Sequence, residues 1–203
     1  MDNGKKLDLP PLNTLLPTSF DILPVNPNLS EQPVLLETSD DHEVWFMKDD
    51  KFKRPKGIVN LKFYTNDCET HKTPEGRVFF ECWDICLQEF RREFCYMADL
   101  ANLDFDHQKA PGSINFRWSG YNTSLPNFVK ECLKIMNAFK SADFVEIFND
   151  KKEQLLQRFK NHYLQQTFRL AWGEMSSLVH DYSLDYKQMK EVLVPYTYSQ
   201  FKE

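Results

Sequence analysis

The sequence predicts the α+β class, an antiparallel sheet with helices packed mainly on one face, preceded by an extended proline-rich arm. Three observations support this prediction: strand-like runs come before most helical stretches, the two element types do not alternate strictly, and prolines are concentrated before residue 34. The 203 residues, 41% of them hydrophobic, suffice to bury a core without disulfides or metals. We therefore expect one domain at residues 41–203 and an arm at residues 1–40.

The arm is predicted from its prolines, because six of the 11 in the chain precede residue 34. Proline fixes φ and removes a backbone donor, so such a segment runs extended along a surface or links two units. We expect no core element within it.

Two strands are predicted next, at residues 44–47 and 58–64, where β-branched and aromatic residues cluster. The first is apolar throughout and is expected to be buried on both faces. The second alternates apolar and polar residues and is expected to be half-buried. The charged segment 49–56 between them predicts a turn that joins the two strands as a hairpin.

Residues 75–100 have the strongest helical pattern, with Pro74 at a favoured position before the first turn. Apolar residues recur there at steps of three and four, while charged residues, including Glu81 and Asp84, fall elsewhere around the helix. The apolar stripe consists of Phe79, Cys82, Trp83, Cys86, Phe90, Phe94 and Met97.

The second half of the chain is predicted to contain two short strands followed by helices. Residues 103–106 and 114–118 alternate as strands do, and Gly120 after them has turn character. Ser124 and Pro126 open one helix, and Asp143 is expected to cap the next. Two further helices are predicted, at residues 165–180 and 183–193.

Charge and composition exclude several classes of function. The net charge is -5, from 25 basic and 30 acidic residues without a basic stripe, so nucleic acid is a disfavoured partner. No apolar run is long enough to predict a membrane span. The start of the chain lacks the uninterrupted apolar stretch of an export signal, and five cysteines are an odd number. We therefore expect reduced thiols and a cytoplasmic location.

The histidines do not form a zinc-peptidase motif. His42, His71, His107, His162 and His180 include no pair four residues apart, the spacing that H-E-x-x-H and H-x-x-E-H require. Glu43 follows His42, but Phe46 occupies the position of the second histidine. His42 is therefore interpreted as a residue at a strand edge.

Cys82 and Cys86 are four residues apart on the predicted helix, a spacing that allows a shared metal, with Cys95 and His107 as further donors. The two thiols also fall on the apolar stripe, where free cysteine fills space as a small apolar residue. Packing is the favoured interpretation, and metal or redox chemistry is the alternative.

Other catalytic patterns are equally weak. Ser176 and Ser177 precede His180 and Asp181, but neighbours in sequence do not form a triad, and no G-x-S-x-G elbow occurs. The chain has six glycines and no phosphate-binding loop. The pair at residues 49–50 points to opposite sides of an extended chain, so turn hydrogen bonds or pairing with nearby lysines is favoured over a cation site. We predict no catalytic, cofactor-binding or metal-ligating residue.

Several segments of the sequence resemble a known family. Residues 45–56 match the pattern W-F/Y-x-x-D-D-x-F-x-x-P-K, residues 96–103 resemble Y-x-A-x-L-A-G-L, and residues 120–122 read G-Y-N. Residues 3–24 are similar to the linker that enters the same domain. In this order and spacing, they resemble the insulysin and nardilysin branch of the M16 zinc metallopeptidases. Asn102 stands where the family usually has glycine, and asparagine tolerates the left-handed backbone that such a turn requires.

The resemblance covers the third of four related α/β domains, which in this family form two bowl-like halves around a peptide chamber. The zinc motif H-x-x-E-H lies in the first domain, so the resemblance carries no catalytic or zinc residue into this chain. It implies a noncatalytic structural domain, or a truncated relative, that meets the other domains or a catalytic half. Among its aromatic residues, the candidates for contact with a peptide substrate or a neighbouring domain are Trp118, Tyr121, Trp172 and Tyr182.

Two other functions remain open. The chain is alternatively a free-standing interaction protein that keeps the fold and pairs with a separate catalytic chain. An independent enzyme or metal protein using Cys82 and Cys86 is the third hypothesis.

Overall fold

A computed structural model describes residues 12–22, 32–48, 51–65, 73–110, 112–179 and 186–203. Within these residues the chain forms strands β1 to β5, namely Val34–Thr38, Glu43–Phe46, Lys56–Tyr64, Asp104–Ala110 and Ser113–Tyr121. The α-helices α1 to α7 are Pro74–Phe90, Arg92–Leu100, Leu125–Ser141, Val145–Asn161, Thr167–Val179, Tyr186–Leu193 and Tyr198–Lys202. None of the helices in these ranges combines the length and apolar character needed to cross a bilayer.

The strands form two separate antiparallel sheets. β1 pairs with β2, and β5 lies between β3 and β4 in a three-stranded sheet. On β5, Phe116 and Trp118 are buried beneath the helices, whereas Arg117 between them is exposed. The sheet is thus covered mainly on one face, and the predicted α+β class is confirmed.

The predicted hairpin between the second and third strands is wrong. β2 pairs back onto β1, which lies in the segment predicted as an arm, and β3 pairs with β5 about 50 residues further on. The charged segment joins the two sheets and does not form a hairpin turn. The predicted burial of the first strand on both faces is also wrong, because all four residues of β2 are exposed.

The long helix predicted over residues 75–100 is two helices separated at Arg91. Its start is as expected: Thr73 caps α1 by accepting a hydrogen bond from the Gly76 amide at 3.1 Å, with Pro74 in the first turn. The start of α4 differs by one residue from the predicted cap at Asp143. Phe144 occupies the N-cap position, and Asp143 before it accepts a hydrogen bond from the Val145 amide at 3.3 Å.

Asn102 and Gly120 meet where α2 passes into β4. Asn102 adopts φ 61°, so the left-handed backbone expected of it is confirmed. Gly120 lies inside β5, and not in a turn as expected. A Cβ atom there would come within 2.3 Å of Leu103 Cδ2, so close packing and positive φ both require glycine.

The core has two parts. One joins α1, α4, α6 and α7 through Val78, Cys86, Phe148, Leu155 and Leu193, among others. The other lies between the three-stranded sheet and helices α2 and α3 and includes Leu103, Phe116, Trp118 and Phe128.

The arm contributes to the second part of the core. Leu15 is buried there, and the Asn13 side chain donates to the Met97 carbonyl at 2.6 Å. The rings of Phe20 and Tyr121 pack edge to face, with their centroids 5.0 Å apart. The described residues 12–22 are therefore anchored along the domain.

Candidate functional site

A cluster of charged side chains lies between α1, β4 and α4. It consists of Glu81, Asp84, His107, Lys109 and Arg158, and we refer to it as the Asp84 cluster. Glu81 and Asp84 are only 8% and 7% exposed. Carboxylates are seldom buried to this extent unless they are paired.

Local geometry explains how the cluster forms. Glu81 and Asp84 are three residues apart on α1 and so lie on the same side of the helix. His107 and Lys109 are two residues apart on β4 and share a face of the sheet with buried Phe105. Packing α1 on that face brings the two pairs together.

The contacts satisfy both carboxylates. Lys109 Nζ donates to Asp84 Oδ2 at 2.5 Å and to Glu81 Oε1 at 3.2 Å. His107 Nε2 contacts Asp84 Oδ1, and Gln88 Nε2 donates to the same oxygen at 2.9 Å. The cluster thus ties one helix to the sheet through several charged hydrogen bonds.

A second set of contacts extends the cluster to its neighbours. Arg158 Nη2 on α4 donates to Glu81 Oε2 at 2.7 Å. Arg91 Nη2 lies 3.4 Å from His107 Nδ1, and its Nη1 donates to the Phe105 carbonyl at 3.2 Å. Both nitrogens of the His107 ring therefore have polar neighbours.

The electrostatics favour an ionised Asp84. Burial by itself raises the pKa of this carboxyl, but hydrogen bonds from His107 and Lys109 and the lysine charge hold it well below its ordinary value. A histidine beside a carboxylate also occurs in catalytic sites. Here the carboxylate is bound by lysine and glutamine as well, so its hydrogen bonds hold α1 against β4.

The two cysteines of α1 lie in the core, where the packing interpretation placed them. Cys82 and Cys86 belong to the cluster that joins α1 to α4 and α6. Burial raises the pKa of each thiol to about 12, so both are protonated at neutral pH. The ring nitrogens of His107 contact Asp84 and Arg91.

Other residues singled out by the sequence do not converge on a site. His42 lies in the β1–β2 turn, with Nδ1 2.9 Å from Ser39 Oγ, and His162 stacks on Tyr186 at 3.8 Å. Ser176 is on α5. The remaining residues of these sets, His71, His180, Asp181, Tyr182, Cys68, Asp49 and Asp50, lie outside the described residues. Across the part of the chain that the structure describes, no three His, Cys, Asp or Glu side chains are grouped to hold a metal.

The aromatic candidates have different environments. Trp118 is completely buried in the core, and Tyr121 lies under Lys56, whose Nζ is 4.8 Å from the ring centre. Trp172 on α5 is 69% exposed. Of these three residues, Trp172 is the one with a ring free to meet another surface.

Sequence reasoning placed Glu81 and Asp84 on the charged side of a helix and missed their burial. The missing signal was in β4, where His107 and Lys109 are in phase with Phe105 and so share the core-facing side. Two basic residues on the buried face of a strand require acidic partners from the element packed on them.

The elements described above define an α+β domain with a buried charged cluster between its helices and sheet. The same fold occurs in the crystal structure of pitrilysin, which the chain matches with a TM-score of 0.81 at 18% identity over 97% of its own length and 20% of that chain.

The sequence relationship is more specific. A family model described as "Middle or third domain of peptidase_M16" matches residues 2–192, and the chain belongs to this family. Insulin-degrading enzyme of Homo sapiens is 25% identical over 201 residues, which are 99% of this chain and 19% of that protein. Nardilysin of Rattus norvegicus is 26% identical over 160 residues, 79% of this chain and 13% of that protein. The resemblance seen in the sequence is confirmed, and the chain spans about a fifth of the human relative.

Proposed function

We propose that this chain is a noncatalytic domain of an insulin-degrading-enzyme-like zinc metalloendopeptidase. Its role is to form part of the wall that encloses peptide substrates and to pack against the other domains. The observation that carries the proposal is the match of residues 2–192 to the middle or third domain of the M16 peptidases, in a chain spanning 19% of its human relative.

The zinc of the parent family does not fit the side chains of the residues that the structure describes. The Cys82 and Cys86 thiols are buried and protonated, whereas zinc binds thiolates. His107 lies between Asp84 and Arg91. We therefore derive no catalytic step here and propose that zinc chemistry is supplied by another domain.

Exposed apolar side chains on α5 support a role in assembly. Phe168, Trp172, Met175 and Val179 recur at steps of four, three and four, so they form one stripe along the helix, and all four are exposed. Contiguous apolar surface of this kind marks contact with another protein surface. In the proposed function that surface belongs to a neighbouring domain.

An assay of the purified 203-residue chain tests whether catalysis resides here. We expect no cleavage of a fluorogenic peptide with or without added zinc, while a full-length insulin-degrading enzyme cleaves it in parallel. Zinc-dependent turnover that co-elutes with the folded chain and is abolished by a chelator would contradict the proposal.

The alternative is a free-standing protein that pairs with a separate catalytic chain. The α5 stripe serves this alternative equally well, so the two are separated by purifying the protein from its own cells. A longer polypeptide containing both this sequence and H-x-x-E-H supports the first proposal, and a separate H-x-x-E-H chain in stable complex supports the second.

Fractionation of the same cells tests the location. We propose the cytoplasm, on the basis that Cys82, Cys86, Cys95 and Cys132 are all free thiols, as a reducing compartment maintains them. Recovery of the protein in an organelle fraction would contradict this.

A further inference from the structure

The ring of His107 lies at a buried contact between the sheet and the helices. Its side chain is 6% exposed. One ring nitrogen, Nε2, contacts the Asp84 carboxylate on α1, and the other, Nδ1, lies 3.4 Å from Arg91 Nη2. Because the ring is buried by the described residues, these contacts do not depend on what lies outside the domain.

The two partners determine which nitrogen carries the hydrogen of a neutral ring. Arginine has N–H donors and no acceptor, so Arg91 can meet Nδ1 only at a lone pair. A carboxylate accepts hydrogen bonds, so Asp84 pairs with an N–H group at Nε2. The geometry therefore corresponds to the neutral tautomer with hydrogen on Nε2 and none on Nδ1.

Protonation of the ring would remove one of the two contacts. A histidinium ion has N–H groups at both nitrogens. The contact with Asp84 would remain, whereas at Nδ1 an N–H group would face the N–H group of a permanently charged guanidinium. The contact between Arg91 and His107 is thus possible in only one protonation state of the ring.

Arg91 is the single residue between α1 and α2, and its side chain fastens this bend to β4. Nη1 donates to the Phe105 carbonyl and to Cys95 Sγ, each at 3.2 Å. The guanidinium carbon lies 4.2 Å from the centre of the Phe105 ring. Withdrawal of Arg91 from His107 would therefore weaken the attachment of the start of α2 to the sheet.

Charged and titratable groups surround the ring on each element packed against it. Among the described residues, those on the buried side of the sheet are Asp84 and Glu81 of α1, Lys109 of β4, Arg158 of α4, Cys95 of α2 and Arg91 at the bend. β5 contributes the uncharged ring of Phe116, with its centroid 6.1 Å from that of His107. Nearby exposed positions are occupied by Asp99, Asp104, Asp106 and Arg117.

Histidine is the side chain whose ordinary titration falls between about pH 5 and pH 8. Burial raises the pKa of Asp84, but hydrogen bonds from His107 and Lys109 hold it well below its ordinary value, so this carboxylate stays ionised across the interval. Burial raises the pKa of the Cys95 thiol, so Cys95 stays protonated. An effect of acid on the Arg91 contact in this interval is therefore attributed to the ring.

We infer that His107 and Arg91 form an acid-sensitive latch that holds the bend between α1 and α2 against β4. The latch is closed when the ring is neutral and Nδ1 accepts from Arg91, and it is open when the ring is protonated. The contact between His107 and Asp84 is kept in both states. This conformational device lies within the domain and is independent of the proposed function.

Nitrogen-15 NMR of the histidine rings in the 203-residue chain tests the two states, because the chemical shift of a ring nitrogen depends strongly on whether it carries hydrogen. At about pH 8 we expect His107 to carry hydrogen on Nε2 and none on Nδ1. At about pH 5 we expect hydrogen on both nitrogens. Hydrogen on Nδ1 at the higher pH, or none there at the lower pH, would overturn the inference.

Amide hydrogen exchange measures whether α2 responds to the latch. Protection factors compare each amide with an unstructured chain at the same pH, so they remove the direct effect of acid on exchange. We expect the protection factors of residues 95–100 to fall at least about threefold from the higher pH to the lower, because a contact of the bend is lost. Equal protection at the two pH values would show that no latch opens.

Two variants show whether the ring causes the response. His107→Gln keeps a side-chain N–H group for Asp84 but does not take up a proton, so the protection of α2 should be independent of pH. His42→Gln changes an exposed histidine of the β1–β2 turn and should respond to pH as the unaltered chain does. A fall in protection that persists in His107→Gln would contradict the inference.

A second pair of variants tests the part played by Arg91 and leaves the ring unaltered. Arg91→Met keeps an unbranched side chain beside Phe105 and removes every N–H donor. We expect its α2 protection to be at least about threefold below that of the unaltered chain at the higher pH and to change no further in acid. Arg92→Met, at a side chain that is 76% exposed, should keep the full response. If the two variants respond to pH alike, the latch does not act through Arg91 and the inference is wrong.

Discussion

The two edges of the three-stranded sheet differ in what lies against them. At the β4 edge, Arg91 and Asp106 bind outward backbone groups, and the core-facing side chains His107 and Lys109 enter the Asp84 cluster. At the β3 edge no strand among the described residues pairs with the outward backbone groups, and the apolar side chains are partly exposed, Phe63 by 49%. Within the described residues, the side-chain contacts that hold an edge of this sheet are therefore concentrated at β4.

The largest effect is expected from removing the centre of the Asp84 cluster. Asp84→Ala leaves buried His107 and half-buried Lys109 without this carboxylate and should lower the free energy of unfolding by about 3–5 kcal/mol. The control, Asp104→Ala, lies on the exposed face of β4 and should lower the free energy of unfolding by less than about 0.5 kcal/mol. Urea denaturation measures both, and equal losses would show that the cluster does not stabilise the β4 side.

A glycine pair offers a matched test of packing beside β4. Gly120→Ala forces a Cβ to within 2.3 Å of Leu103 Cδ2 and should destabilise the fold by about 1–3 kcal/mol. The same substitution at Gly173 on α5 meets nothing within 4 Å and should stabilise by up to about 1 kcal/mol through helix propensity. Thermal unfolding of the two variants should therefore shift in opposite directions, and shifts of the same sign would contradict the packing described here.

The sequence alone was sufficient to predict those elements whose residue pattern is local. The apolar stripe of α1 predicted its burial, and the left-handed residue Asn102 was expected at its turn. The strand pairing was not local. Charged residues 49–56 between two strands favour a hairpin, but β3 has its partner in β5, across two helices and β4. Sequence spacing alone does not contain that information.

The Asp84 cluster was hidden for a related reason. On an isolated helix, Glu81 and Asp84 are indistinguishable from solvated charges, and only the packing of β4 against α1 turns them into buried partners of Lys109. The family resemblance was recoverable because it depends on short motifs, which survive at 25% identity.

Acid should reduce the contribution of the Asp84 cluster to the free energy of unfolding. The pKa of Asp84 is lower in the folded chain than in the unfolded chain, so its stabilising contribution is present above the unfolded pKa and is lost as pH falls towards the folded one. Below about pH 4 this carboxyl contributes a loss of at most about 1.4 kcal/mol per pH unit. Asp84→Asn should reduce that slope in urea titrations between pH 4 and pH 3, whereas Asp104→Asn should not. Identical slopes in the unaltered chain and Asp84→Asn would refute the assignment.

The smallest change in stability is expected at the β3 edge. Hydrogen bonding to β5 alternates along β3, and the Asn60 amide is one of those that face away from β5. Asn60→Pro therefore removes no hydrogen bond of the sheet and should cost less than about 1 kcal/mol. Leu61→Pro, one residue on, removes a ladder bond and should cost about 3 kcal/mol or more. Urea denaturation of the two variants reads the bonding register of β3 directly. A cost at Asn60 as large as that at Leu61 would mean that the outward amide is already bound within the folded chain, and the contrast between the two edges would disappear.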